Sequence, residues 1–269
     1  FVADEVRLER CGVERAALEM TVTDSMEDGT RPAWPIDSGV PIARGELAGS
    51  EHCRLLDGQG QPVSAQFTPL AFWPDGSIKW VLVSFMHAGG SPDYTLEYGE
   101  AVSRPTVPDG ITVEETPDGL TVTTDLLRAE LSSGQFAPPG RVSMDANDDG
   151  LFTADEIVVS GREGLVIVDG DGNRYTSAGA GTTRFEVEET GPVRTVVRAE
   201  GPFAGPDGEF LKYRCRMYFY RGFAGIPTEV SLLAHAGDSG FPPTLNQMRS
   251  LTWPMEPGST EGAERLRWV

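Results

Sequence analysis

Twelve consecutive residues carry the most specific chemistry in the sequence: Asp145-Ala146-Asn147-Asp148-Asp149-Gly150-Leu151-Phe152-Thr153-Ala154-Asp155-Glu156. They match the D-x-[DN]-x-[DN]-G-x5-E pattern of a calcium loop at every defined position. Asp145, Asn147 and Asp149 offer oxygens from alternate positions, and Gly150 permits the sharp turn. Leu151 would offer its backbone carbonyl, Thr153 a ligand directly or through water, and Glu156 a bidentate carboxylate. So many carboxylates in one loop repel each other unless a cation compensates them. A structural calcium ion is therefore the expectation, against the alternative of an acidic surface turn without metal.

The flanks do not belong to an EF-hand. Pro138-Pro139-Gly140 cannot form an entering helix, and Ile157-Val158-Val159 favours a strand. The loop is expected to close a connection between strands. A second run, Asp169-Gly170-Asp171-Gly172-Asn173, imitates the first half of such a loop. Ala180 stands where its bidentate acid would be, so a plain hairpin turn is expected there.

Groups able to move protons are few. His52, His87 and His235 are isolated, the last two at strand ends beside glycines; Tyr213, Tyr218 and Tyr220 lie in one strand pattern. Arg194, Arg198, Arg214 and Arg216 alternate on neighbouring strands and are expected to pair with Glu186, Glu188 and Glu200 across the sheet. No G-x-S-x-G, P-loop, H-E-x-x-H or C-x-x-C occurs, so motifs give nucleophilic, phosphoryl and zinc chemistry no support.

The elements that must position these groups are strands. Phe67 to Phe85 reads as a hairpin folded about Pro74-Asp75-Gly76, since a glycine in such a turn supplies the positive φ of a tight reversal. In its second strand Ile78, Trp80, Leu82 and Ser84 share one face; Lys79, Val81, Val83 and Phe85 share the other. Both faces are mostly apolar, so a central strand covered on both sides is expected. Lys79 is expected to lay its stem on apolar surface with its ammonium in water, against the alternative of a lysine in a site. Before the hairpin come strand patterns at Val6–Leu8, Ala17–Val22, 42–47 and 52–56, with an irregular Pro-rich segment over 32–41. Tyr94–Tyr98 follows.

Residues 99–110 read as a linker. A second series then starts with strands at 111–115 and 120–124 about Pro117-Asp118-Gly119. It continues at 126–131, 163–169, 183–189, 193–200, 210–220, 228–235 and 251–255. The expected fold class is all-β: a small N-terminal β-barrel over 1–104, then a β-sandwich-like domain over 105–269 with the calcium loop inserted.

Composition narrows the partners. The chain has 269 residues, 32 Gly and 20 Pro, and a net charge of −19. No basic stripe exists to meet nucleic acid, and no run reaches the roughly 20 apolar residues of a membrane-spanning helix. The acidity would repel a polyanionic glycan except at a local cationic cluster or bound cation. Cys11, Cys53 and Cys215 are too few for a disulfide scaffold. Cys11–Cys53 is a candidate pair in an exported protein, and Cys215 a buried thiol. The chain opens at Phe1-Val2-Ala3-Asp4, as a secreted protein would after losing its leader. It closes on Leu266-Arg267-Trp268-Val269, which reads as the start of a strand.

Gly39-Val40-Pro41, Arg44-Gly45, Gln66, Pro69-Leu70-Ala71 and Trp73-Pro74-Asp75-Gly76-Ser77-Ile78-Lys79-Trp80, in this order and spacing, resemble the N-terminal region of the exo-rhamnogalacturonan lyase family, polysaccharide lyase family 26 and its bacterial relatives. The resemblance implies a barrel, then a sandwich, then an (α/α) toroid carrying the catalytic cleft. It further implies a secreted, extracellular or periplasmic protein whose full-length form acts on acidic, rhamnogalacturonan-like polysaccharide. The toroid would lie beyond this chain, and no catalytic residue of the family maps onto it. The alternative is a calcium-stabilised structural or glycan-binding module that self-assembles on a surface or in a filament.

Overall fold

A computed structural model of the chain describes residues 13–23, 33–89, 91–107, 110–233 and 248–257. The described residues are nearly all β, and their only helical pieces are single 3-10 turns. The chain divides into two compact units, Phe1–Pro108 and Asp109–Val269.

The first unit carries β1 (Ala16–Thr21), β2 (Trp34–Pro41), β3 (Cys53–Asp57), β4 (Pro62–Val63), β5 (Ala65–Phe72), β6 (Ile78–His87) and β7 (Asp93–Tyr98). They form a four-stranded sheet in the order β1-β7-β3-β4 and a three-stranded sheet in the order β2-β6-β5. All pairings are antiparallel. Leu55 and Leu96 from one sheet and Val81, Val83 and Phe85 from the other meet in one core, all fully buried. Burial of each such side chain contributes about 1.5–3 kcal/mol.

The Pro74-Asp75-Gly76 reversal forms as expected, with Gly76 at φ +83°. Its Asp75 carboxylate accepts hydrogen bonds from Ser77 N at 3.0 Å, Ser77 Oγ at 2.6 Å and Arg44 Nε at 2.9 Å. Those donors, Ser77 foremost, hold the Asp75 carboxyl down to about 2. Ser77 Oγ in turn accepts Gly45 N at 2.9 Å, so two turns distant in sequence are locked together. Lys79 places its ammonium 4.7 Å from the centre of the Trp73 ring, a cation–π contact.

β6 is central in its sheet; one face is closed and the other only in part, with Ile78 and Ser84 buried on it. Val81, Val83 and Phe85 are sealed, whereas Trp80 on the opposite face is 38 % exposed. Of Ile78, Trp80, Leu82 and Ser84 on that face only Ser84 is polar; its Oγ donates to Asp37 Oδ1 at 2.5 Å. The Pro-rich segment expected to be irregular is instead β2, which among the described residues is an edge strand paired only with β6. Proline is tolerated in an edge strand because its missing N–H need not serve a second neighbour. The strand expected over 42–47 is a turn, with Gly45 at φ +83°.

The second unit opens with β8 (Thr112–Thr116), β9 (Gly119–Thr123), β10 (Leu127–Ser132), β11 (Arg141–Met144) and β12 (Ile157–Gly161). β13 (Val166–Asp169), β14 (Arg174–Thr176), β15 (Arg184–Glu189), β16 (Arg194–Gly205), β17 (Gly208–Tyr220), β18 (Thr228–Leu233), β19 (Met248–Thr252) and β20 (Met255–Pro257) follow. One sheet runs β20-β12-β11-β10-β9-β8; the other runs β18-β17-β16-β14-β13-β19, with β15 also on β16. Their facing side chains share a single core, which makes the unit a β-sandwich.

Tyr213 sits in that core, stacked on Phe136 with centroids 5.2 Å apart and edge-on to Phe203 at 5.4 Å. Its buried hydroxyl is 2.8 Å from Thr183 Oγ1. β16 and β17 form the longest hairpin, registered from Arg194↔Tyr220 to Gly205↔Gly208. The single strand expected over 251–255 is two strands serving different sheets: β19 pairs β13, and β20 pairs β12. Pro254, which cannot donate to a ladder, falls at the break, and the Trp253 indole N–H donates to the Pro138 carbonyl there.

Cys53 and Cys215 are buried thiols, each pushed up to about 12 by burial. The strand expected at Val6–Leu8, the partner Cys11, His235 and the closing Leu266–Val269 lie outside the described residues.

Candidate calcium loop and the charged face of the sandwich

Residues 145–156 join β11 to β12, adjacent antiparallel strands, so the loop is the tip of a hairpin and not a helix–helix junction. Its first half is drawn together by its own backbone. Asp149 N donates to both Asp145 Oδ1 and Asn147 Oδ1 at 3.1 Å. Gly150 N donates to Asp145 Oδ2, and Leu151 N to Asp149 Oδ1, both at 2.8 Å. Three oxygen-bearing side chains thus converge on the turn that Gly150 makes at φ +78°.

The second half is arranged differently. Glu156 Oε2 accepts Thr153 N at 2.8 Å and Thr153 Oγ1 at 3.0 Å, capping the 3-10 turn Ala154–Glu156. Its Oε1 accepts Ala146 N at 3.1 Å. These donors, Thr153 first, lower the Glu156 carboxyl below the usual range. Glu156 therefore closes the loop onto the backbone. Among the described residues no three of His, Cys, Asp or Glu stand close enough together to hold a metal ion. The donor types fit calcium, and the Asp145 and Asn147 oxygens engaged by the backbone each keep a further lone pair, whereas Glu156 Oε2 already accepts two bonds. The spacing of Glu156 as it stands does not complete a cage.

Asp169, the start of the second acidic run, makes the expected hairpin turn instead. Its Oδ1 accepts Asp171 N at 3.0 Å and Asn173 N at 2.8 Å between β13 and β14.

The arginines on the β15–β18 sheet are matched by glutamates, as their alternation predicts. Arg198 is hydrogen-bonded to Glu186 and lies 3.4 Å from Glu188 and 3.6 Å from Glu200. Arg216 holds Glu188 by two bonds of 2.7 and 3.0 Å, and Arg214 holds Glu200. Arg216 and Arg214 keep the Glu188 and Glu200 carboxyls below their usual range. Arg194 lies 3.7 Å from Glu189 and 5.3 Å from the Tyr218 ring centre. A face that arginine positions alone would make basic is a neutral ladder.

The proton-transfer candidates are not brought together. Burial pushes Tyr213 up to about 12; burial and the Glu229 hydrogen bond do the same to Tyr218. Neither ionises readily near neutral pH. His87 Nδ1 is 2.7 Å from the Tyr94 hydroxyl. His52 lies 3.8 Å from Glu51 and lines a shallow cavity of about 280 Å³ with Glu46, Leu47, Ala48, Gly99 and Glu100. Carboxylates around that notch oppose an anionic ligand.

Sequence reading missed one charged centre. Glu97 in β7 is buried, and its carboxylate bonds both Arg15 and Arg54. Its strand alternation marks it as outward, and nothing local announces two arginines from separate segments.

Two family models match the chain. Residues 28–98 match the PcRGLX-like N-terminal RIFT barrel domain, and residues 111–238 the PcRGLX-like protein central beta sandwich domain. The uncharacterized protein YetA of Bacillus subtilis (strain 168) is 25 % identical over 202 residues. That alignment covers 70 % of this chain and 22 % of YetA, so the chain spans less than a quarter of that relative's length.

Proposed function

The chain belongs to the PcRGLX-like, rhamnogalacturonan lyase-like family, and from this premise we propose that it forms the non-catalytic barrel and sandwich flanking the cleft of a secreted enzyme that cleaves uronate-containing glycans by β-elimination. The observation that carries the reading is the succession of the two family domains, barrel before sandwich, along one chain.

Elimination needs three things: neutralisation of the uronate carboxylate, a base for the C5 proton and an acid for the leaving oxygen. The Arg198–Arg214–Arg216 group spends its charge on Glu186, Glu188 and Glu200, and His52 sits among carboxylates. The proposal therefore assigns the chemistry to the remaining part of the full-length protein. The present residues contribute rigid, acid-rich β-layers that support it.

Within this scaffold the 145–156 loop is proposed to take one calcium ion with a structural role. Asp145, Asn147, Asp149, the Leu151 carbonyl, Thr153 and Glu156 would hold it. Support comes from the complete motif and from the convergence of the first three side chains. Binding would require Glu156 to exchange its bonds to Ala146 and Thr153 for the ion.

The test compares the full-length protein with the 269-residue chain on rhamnogalacturonan, reading the ultraviolet absorbance of the unsaturated product. Product from the full-length protein alone is the expected result. Turnover by the shorter chain would place the chemistry here and overturn the scaffold reading. A full-length protein inert on acidic glycans would overturn the substrate.

A further inference from the structure

We draw no further inference here: the strongest candidate, the shallow acidic notch lined by Glu46, Leu47, Ala48, His52, Gly99 and Glu100 in the first unit, rests on its carboxylates alone, and nothing in the structure shows what would occupy it.

Discussion

The carboxylate of Glu156 accepts the backbone N–H of Ala146 at 3.1 Å, joining the last residue of the acidic loop to its second. The same carboxylate caps Thr153. A cation entering the loop must compete with those backbone donors, so occupancy and local conformation are coupled. Calcium at a hundred times its dissociation constant would stabilise the fold by about 2.7 kcal/mol. The expected result is a higher melting temperature in millimolar calcium than in chelator, with the increment abolished in Asp145→Asn and sharply reduced in Glu156→Gln. Identical melting curves for the unaltered chain in chelator and in excess calcium would remove the ion from the account.

Glu97 gives the first unit a pH dependence. Burial alone would raise its carboxyl, but hydrogen bonds from Arg15 and Arg54 outweigh burial, and the net shift is downward. A carboxyl lowered on folding adds stability above its unfolded pKa of about 4.3. That stability is lost as the pH falls through the lower folded value. Glu97→Gln should cost about 1.5–3 kcal/mol at neutral pH, the range for hydrogen bonds to a charged group. The gap should start to narrow as the pH falls below the unfolded value of about 4.3 and close only below the lower folded value, where the native carboxyl is neutral too. Urea midpoints for both proteins across that range provide the measurement; a gap independent of pH would show that ionisation of Glu97 is irrelevant.

Much of this fold is written locally, and the exceptions have physical causes. Reversals at Gly76 and Gly119 were legible because each glycine adopts a φ that other residues avoid. The family signature is legible for a related reason. Arg44, Gly45, Asp75 and Ser77 are one hydrogen-bonded lock between two turns, and a lock tolerates few alternatives. β2 escaped notice because its prolines mimic a loop, and only the edge position makes them acceptable. The division of residues 248–257 between two sheets depends on partners far away in sequence. In the calcium loop the identity of the donors is local, but the direction in which Glu156 turns is a contest between backbone and ion that spacing alone does not decide. The arginine–glutamate ladder was legible from strand alternation, whereas Glu97 was not, since its two partners come from separate segments.

Arg198 stands among three glutamates, each partly exposed to water. Exposed pairs contribute little individually, about 0.2–1 kcal/mol, because solvent screens them. Arg198→Met should therefore destabilise by about 1 kcal/mol at low ionic strength, with Glu188 and Glu200 still held by Arg216 and Arg214. Near 1 M salt, where screening acts within about 3 Å, most of the difference should vanish. Chemical denaturation in urea at two salt concentrations measures this. A loss that persists in high salt would mean that the side chain acts through packing of its stem.

Thr195 lies in β16 opposite Phe219 and is fully buried. Among the described residues its Oγ1 meets no hydrogen-bond partner. A hydroxyl taken from water without compensation carries a desolvation cost, while its methyl group packs favourably. Thr195→Val keeps the β-branched shape that suits a strand and removes the stranded oxygen. It should stabilise the sandwich by about 1 kcal/mol. Thr195→Ser keeps the oxygen and deletes the methyl, and should destabilise by about 1 kcal/mol. The stability order Val, Thr, Ser in urea unfolding is the expected outcome. If Ser matches Thr and Val falls below both, the hydroxyl is bonded to a buried water and contributes to the core instead of opposing it.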